Sequence, residues 1–191
     1  LRDLDFWRHF EGPWYGFRSV ETARMHGCEA HAGQHYAIWM EDQGFTEWRD
    51  YFEDWPPNRE KARALREQRS WALPQEYHYT TWTGERTAAQ IRDAAAAGRP
   101  FFAWASFHDP HPPYIVPEPW ASMYDPDDMQ PGSLREGEHE TNPLHFRKTQ
   151  ERDHEYWKQA RRGAAIHGGH CHLHDDEELK KDMAVYYGMT S

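Results

Sequence analysis

Apolar residues come in short bursts along this chain, and the spacing within each burst predicts an element. The first twenty residues are aromatic: Phe6, Trp7, Phe10, Trp14, Tyr15 and Phe17. Residues 15–20 form a short run that predicts a strand. Further on, Tyr36, Met40 and Gln43 fall three and four apart and Gly44 follows. That spacing predicts a short amphipathic helix over 33–43 with a glycine stop. Pro56 and Pro57 precede Asn58, which opens a helix-forming run to Arg69 that is nearly free of apolar residues. It predicts an exposed helix whose mixed charges face solvent.

The clearest unit spans 83–107. Thr83 is a cap for a helix running to about Ala97, Gly98 supplies the left-handed stop, and Pro100 blocks continuation. Residues 101–107, Phe-Phe-Ala-Trp-Ala-Ser-Phe, are almost all apolar and bounded by breakers. They read as a buried strand of a parallel sheet, because both faces would need cover. Helix, tight turn and buried strand together predict an α/β domain with a mostly parallel sheet flanked by helices and long irregular loops. A proline-rich turn, His108-Asp-Pro-His-Pro-Pro-Tyr114, follows where such a sheet opens its ligand crevice. Residues 125–176 read as a long irregular stretch of the kind that carries function. Asp175 with Glu178 marks a last helix start. Leu179, Met183 and Tyr186 or Tyr187 would give that helix its core stripe.

Composition qualifies this picture. Only 24 of 191 residues are Leu, Ile, Val or Phe, about 13%, a share that in a highly charged chain points to disorder. Ten Trp and ten Tyr oppose that reading, because disordered chains are poor in aromatics. The balance is a chain that is part core and part polar loop. It begins at Leu1 and stops in or just beyond a helical pattern, so it reads as an internal piece of a longer protein whose remaining core lies elsewhere.

The formal net charge is -10, which excludes a nucleic-acid binder or an anionic-membrane binder driven by overall field. Mean hydropathy is -1.09, and no run approaches the roughly 20 apolar residues of a membrane helix. Two cysteines, Cys28 and Cys171, are too few for a disulfide framework.

Candidate chemistry gathers at histidines. One group is His26, His31 and His35 around Cys28; a second is His108 and His111. A third is His167, His170, His172 and His174 with Cys171, Asp175 and Asp176. The third has ligand types that zinc prefers, but its spacing matches no standard structural zinc pattern, so no metal ligand is assigned. The second group has positional support. A histidine at the end of a strand, stiffened by Pro110, Pro112 and Pro113, is held in one direction and can protonate a leaving oxygen near neutral pH. No glycine-rich phosphate loop, Gly-x-Ser-x-Gly elbow or His-Glu-x-x-His helix is present.

These residues resemble a known family. Residues 99–114, Arg-Pro-Phe-Phe-Ala-Trp-Ala-Ser-Phe-His-Asp-Pro-His-Pro-Pro-Tyr, resemble the central strand and following loop of the sulfatases, members of the alkaline-phosphatase-like superfamily. The likeness continues through residues 116–126 and reappears in 78–87, in 142–146 and in 181–191, in matching order. It implies that 1–191 is the central part of a sulfatase catalytic domain, without that domain's N- and C-terminal parts. The implied activity is sulfuric ester hydrolysis, removing sulfate from a small organic or carbohydrate sulfate ester. In the family a formylglycine nucleophile and a calcium ion carry the reaction. Neither Cys28 nor Cys171 sits in the Cys/Ser-x-Pro-x-Arg motif that formylglycine needs, and the family's metal-binding motifs have no counterpart in this stretch.

Residue by residue, the resemblance carries over to His111 as the catalytic histidine of the Pro-His-x-Pro turn. His108, close by on the same loop, and His26, at roughly the distance where the family places a polar sulfate contact, are the substrate-binding candidates, and the family implies a periplasmic or extracellular location. A phosphodiesterase or phosphonate monoester hydrolase of the same superfamily is the alternative. A non-catalytic sugar-binding relative is the further one.

Overall fold

The computed structural model describes residues 2–10, 12, 14–56, 58–133, 135–144, 147 and 175–191. The third histidine group, His167 to His174 with Cys171, lies outside the described residues, as does much of the long irregular stretch.

In chain order the elements are α1 (Leu4–Arg8), α2 (Gln34–Asp42), α3 (Arg59–Gln68), β1 (Ser70–Trp71), α4 (Tyr79–Ala96), β2 (Val116–Pro117) and α5 (Asp176–Thr190). β1 and β2 pair in parallel, with Ser70 opposite Val116 and Trp71 opposite Pro117. Parallel strands need a crossover, and α4 lies within it. The described chain is therefore α/β, built on a small β1–α4–β2 unit.

Several elements form for the reasons the sequence suggests. α2 ends in two backbone bonds, Gly44 N–H to the Glu41 carbonyl and Phe45 N–H to the Met40 carbonyl, each 2.9 Å. Gly44 adopts φ +84°, and Phe45 packs with Met40 in the core. This is a Schellman stop with its hydrophobic contact. α4 ends the same way at Gly98, φ +63°, before Pro100. α3 has no buried residue, and Asn58 Oδ1 caps it by accepting from the Glu60 and Lys61 amides. Asp175 Oδ1 caps α5 by accepting the Glu178 amide at 2.9 Å.

Four expectations need correction. α4 starts at Tyr79, not Thr83. His78 is its cap, its Nδ1 accepting the Thr80 amide at 3.3 Å, and Thr83 is a buried interior residue. Residues 15–20 are not a strand. Tyr15 and Gly16 both have positive φ, +48° and +88°, so the chain reverses between the bridged residues Trp14 and Phe17.

The third correction concerns residues 101–107, which are not a buried strand. No described segment pairs with them, all seven are exposed, and Phe102 and Trp104 are 77% and 74% exposed. Parallel pairing falls instead on β2, past the proline-rich turn. Lastly, the core stripe of α5 runs through Val185, Gly188 and Met189, while Tyr186 and Tyr187 face outward. The reason is the contact with the 3-10 turn Trp120–Ser122. Only a glycine at 188 lets the helix approach, since a Cβ there would lie 2.0 Å from the Trp120 carbonyl oxygen.

The main core is aromatic. Tyr36 and Met40 of α2, Trp71 of β1, Tyr79 and Trp82 of α4, and Ile115 meet Phe45, Trp48 and Phe52. The large rings supply the apolar area that the scarce aliphatics do not. A smaller cluster joins Val116 of β2 to Val185 and Met189 of α5. Arg69 ties α5 to this body, its Nε donating to Asp182 at 2.9 Å and its Nη2 to Glu178 at 2.7 Å.

Candidate functional site

Two loops meet over the N-terminus of α4. The first is a turn at 26–29, in which the Glu29 amide donates to the His26 carbonyl at 3.2 Å. The second is the turn at 108–111, closed by the His111 amide donating to the His108 carbonyl at 2.8 Å. Pro110, in a cis peptide, is its third residue, which makes it a type VI turn. Gly27 lets the two loops touch. Its φ is +52°, and a Cβ there would lie 2.9 Å from Pro113 Cγ and 3.0 Å from Ile115 Cγ2.

This contact brings the three histidines expected from sequence into one cluster. The rings of His26 and His111 stack at 3.8 Å with an interplanar angle of 20°. The His108 ring stands edge-on to His26 at 5.9 Å and edge-on to Tyr79 at 5.3 Å. His111 is exposed, and its Nδ1 lies 2.6 Å from the Pro112 carbonyl oxygen. A carbonyl only accepts, so Nδ1 carries a proton and Nε2 is the free edge. Glu29 supports His26 twice: its Oε2 accepts the His26 amide at 3.1 Å and lies 3.4 Å from His26 Nδ1. His108 has its pKa pushed below the usual imidazole range, first by burial and then by the charge of His26.

The other two histidines of the first group go elsewhere. His31 faces Trp55 at 5.9 Å. His35 is structural: its Nδ1 accepts the Thr22 amide at 3.1 Å, and burial lowers its pKa. Cys28 is buried, and desolvation pushes its thiol up to about 12, so it stays a thiol near neutral pH.

Beneath the cluster lies a network that sequence reasoning did not single out. The Asp109 side chain is buried, and its carboxylate accepts from the Tyr79 hydroxyl and from Thr80 Oγ1, the latter at 2.7 Å. His78 Nε2 is 3.9 Å from Asp109 Oδ2, and burial drives the His78 pKa down to about 3. The signal was present in the sequence, since 78–87 and 99–114 are two of the segments that resemble the sulfatases. What was missing is that their polar residues meet.

Among the described residues, no group of three or more His, Cys, Asp or Glu is placed to hold a metal ion. Calcium takes six to eight oxygen ligands. The convergent groups here are imidazoles, so this cluster does not fit calcium. Among the described residues, no helix is long and apolar enough to cross a membrane.

The chain is similar to an alkaline phosphatase superfamily protein, a similarity that supports the superfamily without reaching the sulfatase family. The relative is the multifunctional alkaline phosphatase superfamily protein PehA of Trinickia caryophylli, 27% identical over 184 residues. The match covers 92% of this chain and 32% of the relative, so the chain spans about a third of the relative's length. No family model matches the chain, and no solved structure matches it.

Proposed function

We propose that this chain supplies the histidine side of a hydrolase active site and that its reaction is removal of sulfate from an organic sulfate ester, with sulfated carbohydrates as the substrate class. The observation that carries the reading is the convergence of His26, His108 and His111.

His111 is the catalytic residue of this reading. With Nδ1–H held on the Pro112 carbonyl, its protonated ring presents Nε2–H to the ester, ready to pass that proton to the leaving oxygen. His26 lies against it and is supported by Glu29. The two stacked rings come from separate loops, so an oxyanion beside them would be held from both sides. His108, its pKa lowered by burial, stands edge-on to His26 at the same place. The nucleophile and the calcium expected of a sulfatase have no fitting residues in this cluster, and the resemblance assigns both to other parts of the polypeptide. Action outside the cytoplasm belongs to the same reading.

The relative's description as multifunctional favours a second reading, a phosphodiesterase or phosphonate monoester hydrolase of the same superfamily. The histidine chemistry is common to both. The test is to assay the full-length protein on an aryl sulfate, an aryl phosphonate monoester and a bis-aryl phosphodiester. Preference for the sulfate supports the first reading, and preference for a phosphorus ester supports the second. A Cys/Ser-x-Pro-x-Arg motif upstream in the reading frame would support formylglycine chemistry.

A further inference from the structure

The 108–111 turn carries two of the three clustered histidines, with Asp109 and Pro110 between them. The Asp109 side chain is 5% exposed, and its carboxylate is tied on both oxygens to the first turn of α4. Tyr79, the donor to Oδ1, is fully buried, and Thr80 donates to Oδ2 at 2.7 Å. The carboxylate also sits at the N-terminal end of an 18-residue helix, where the helix dipole favours negative charge. The turn is thus fixed to a rigid element through its second residue, while its first and fourth residues face His26. A buried carboxylate is costly to desolvate, and a turn could be closed by backbone bonds alone. Burial pushes the Asp109 carboxyl above the usual carboxylate range, and the hydroxyls of Tyr79 and Thr80 on its two oxygens oppose that shift.

We infer that Asp109 is a positioning residue: anchored by Tyr79 and Thr80, it sets the 108–111 turn so that His108 and His111 meet His26. This deepens the hydrolase reading and rests on it for its catalytic consequence. The consequence follows from geometry, because displacement of a proton donor by about 1 Å can cost on the order of 10²-fold in rate.

The experiment compares wild type, Asp109→Ala, Asp109→Asn and Thr80→Val in the full-length protein, with two readouts. The first is the imidazole nitrogen NMR signals, which need no activity. Asp109→Ala should shift the His108 and His111 signals and leave those of His31 unmoved. Asp109→Asn, whose amide oxygen still accepts one hydroxyl, should restore part of the wild-type spectrum. The second is kinetic: kcat should fall roughly 10- to 100-fold in Asp109→Ala with KM little changed. Should Asp109→Ala fail to fold, Thr80→Val removes one anchor and should shift the same two histidines by less. Unmoved His108 and His111 signals in the folded variants, with only stability lowered, would overturn the inference. Shifted signals in a protein that hydrolyses none of the three esters would uphold the positioning role and sink the hydrolase reading.

Discussion

The imidazole rings of His26 and His111 lie face to face, 3.8 Å apart, although they come from separate loops. Nothing local to either loop requires this. The approach depends on Gly27 against Pro113 and on the tethers holding residues 21–24. Glu21 accepts both guanidinium bonds of Arg86 at 2.7 and 2.9 Å, and Gln34 Oε1 accepts the Arg24 amide at 2.7 Å.

Gly27→Ala should therefore be costly. It combines a left-handed φ with an overlap against the Pro113 ring, for a loss of roughly 2 to 4 kcal/mol. Gly98→Ala is the control, since its φ is +63° but nothing lies within 4 Å of the added Cβ. It should lose only roughly 1 kcal/mol. Urea unfolding of both variants checks the difference. Equal losses would mean that the contact between the loops is not tight.

Gly188→Ala should detach α5. Its Cβ would fall 2.0 Å from the Trp120 carbonyl oxygen, a backbone atom with little room to move. Amide hydrogen exchange over 176–190 should speed up, while exchange in α2 stays near wild type. Unchanged protection of α5 would contradict the packing described.

Stability should fall as pH drops below about 6.5, and the Asp109 carboxyl, its pKa raised by burial, opposes part of that loss. His78 is held near pKa 3 against an ordinary 6.5. Above about pH 6.5 its ring is neutral in both the folded and unfolded states. As pH falls, the unfolded chain takes up the proton and the folded chain does not. Folding then loses up to about 1.4 kcal/mol per pH unit for this one group, until the folded ring protonates near 3. His35 and His108, also pushed down by burial, act in the same direction. Glu21 and Glu178, whose pKa values are lowered by Arg86 and Arg69 respectively, contribute only as pH falls below about their ordinary 4.5. Urea unfolding between pH 7.5 and 5 should show the loss, and His78→Gln should flatten it. Parallel slopes for the two proteins would refute the burial of a neutral His78.

Inorganic sulfate should bind beside the stacked His26–His111 pair, and His111→Ala should weaken that binding. Titration calorimetry of both proteins measures it. Equal affinity for sulfate would contradict the placement of the anion at this pair.

Much of this architecture was legible in the sequence where local chemistry decides it. The stops at Gly44 and Gly98 and the caps at Asn58 and Asp175 formed as their residues dictate. So did the exposed charge run of α3. Elements that depend on distant partners were not legible. Residues 101–107 have strand composition, but a strand needs a neighbour, and no described segment supplies one. The start of α4 was missed because a histidine cap is outside the usual Ser, Thr, Asp and Asn set. At the site, His26, His108 and His111 could be named from motif and position. Asp109 and Tyr79 could not, because their pairing is a tertiary contact between a turn and a helix start.

The most direct test of the central claim is hydrolysis of an aryl sulfate by the full-length protein and by its His111→Ala variant, with His31→Ala as a control outside the cluster. The account predicts a kcat loss on the order of 10²-fold or more for His111→Ala and near wild-type turnover for His31→Ala. A His111→Ala enzyme that turns over at the wild-type rate would contradict it.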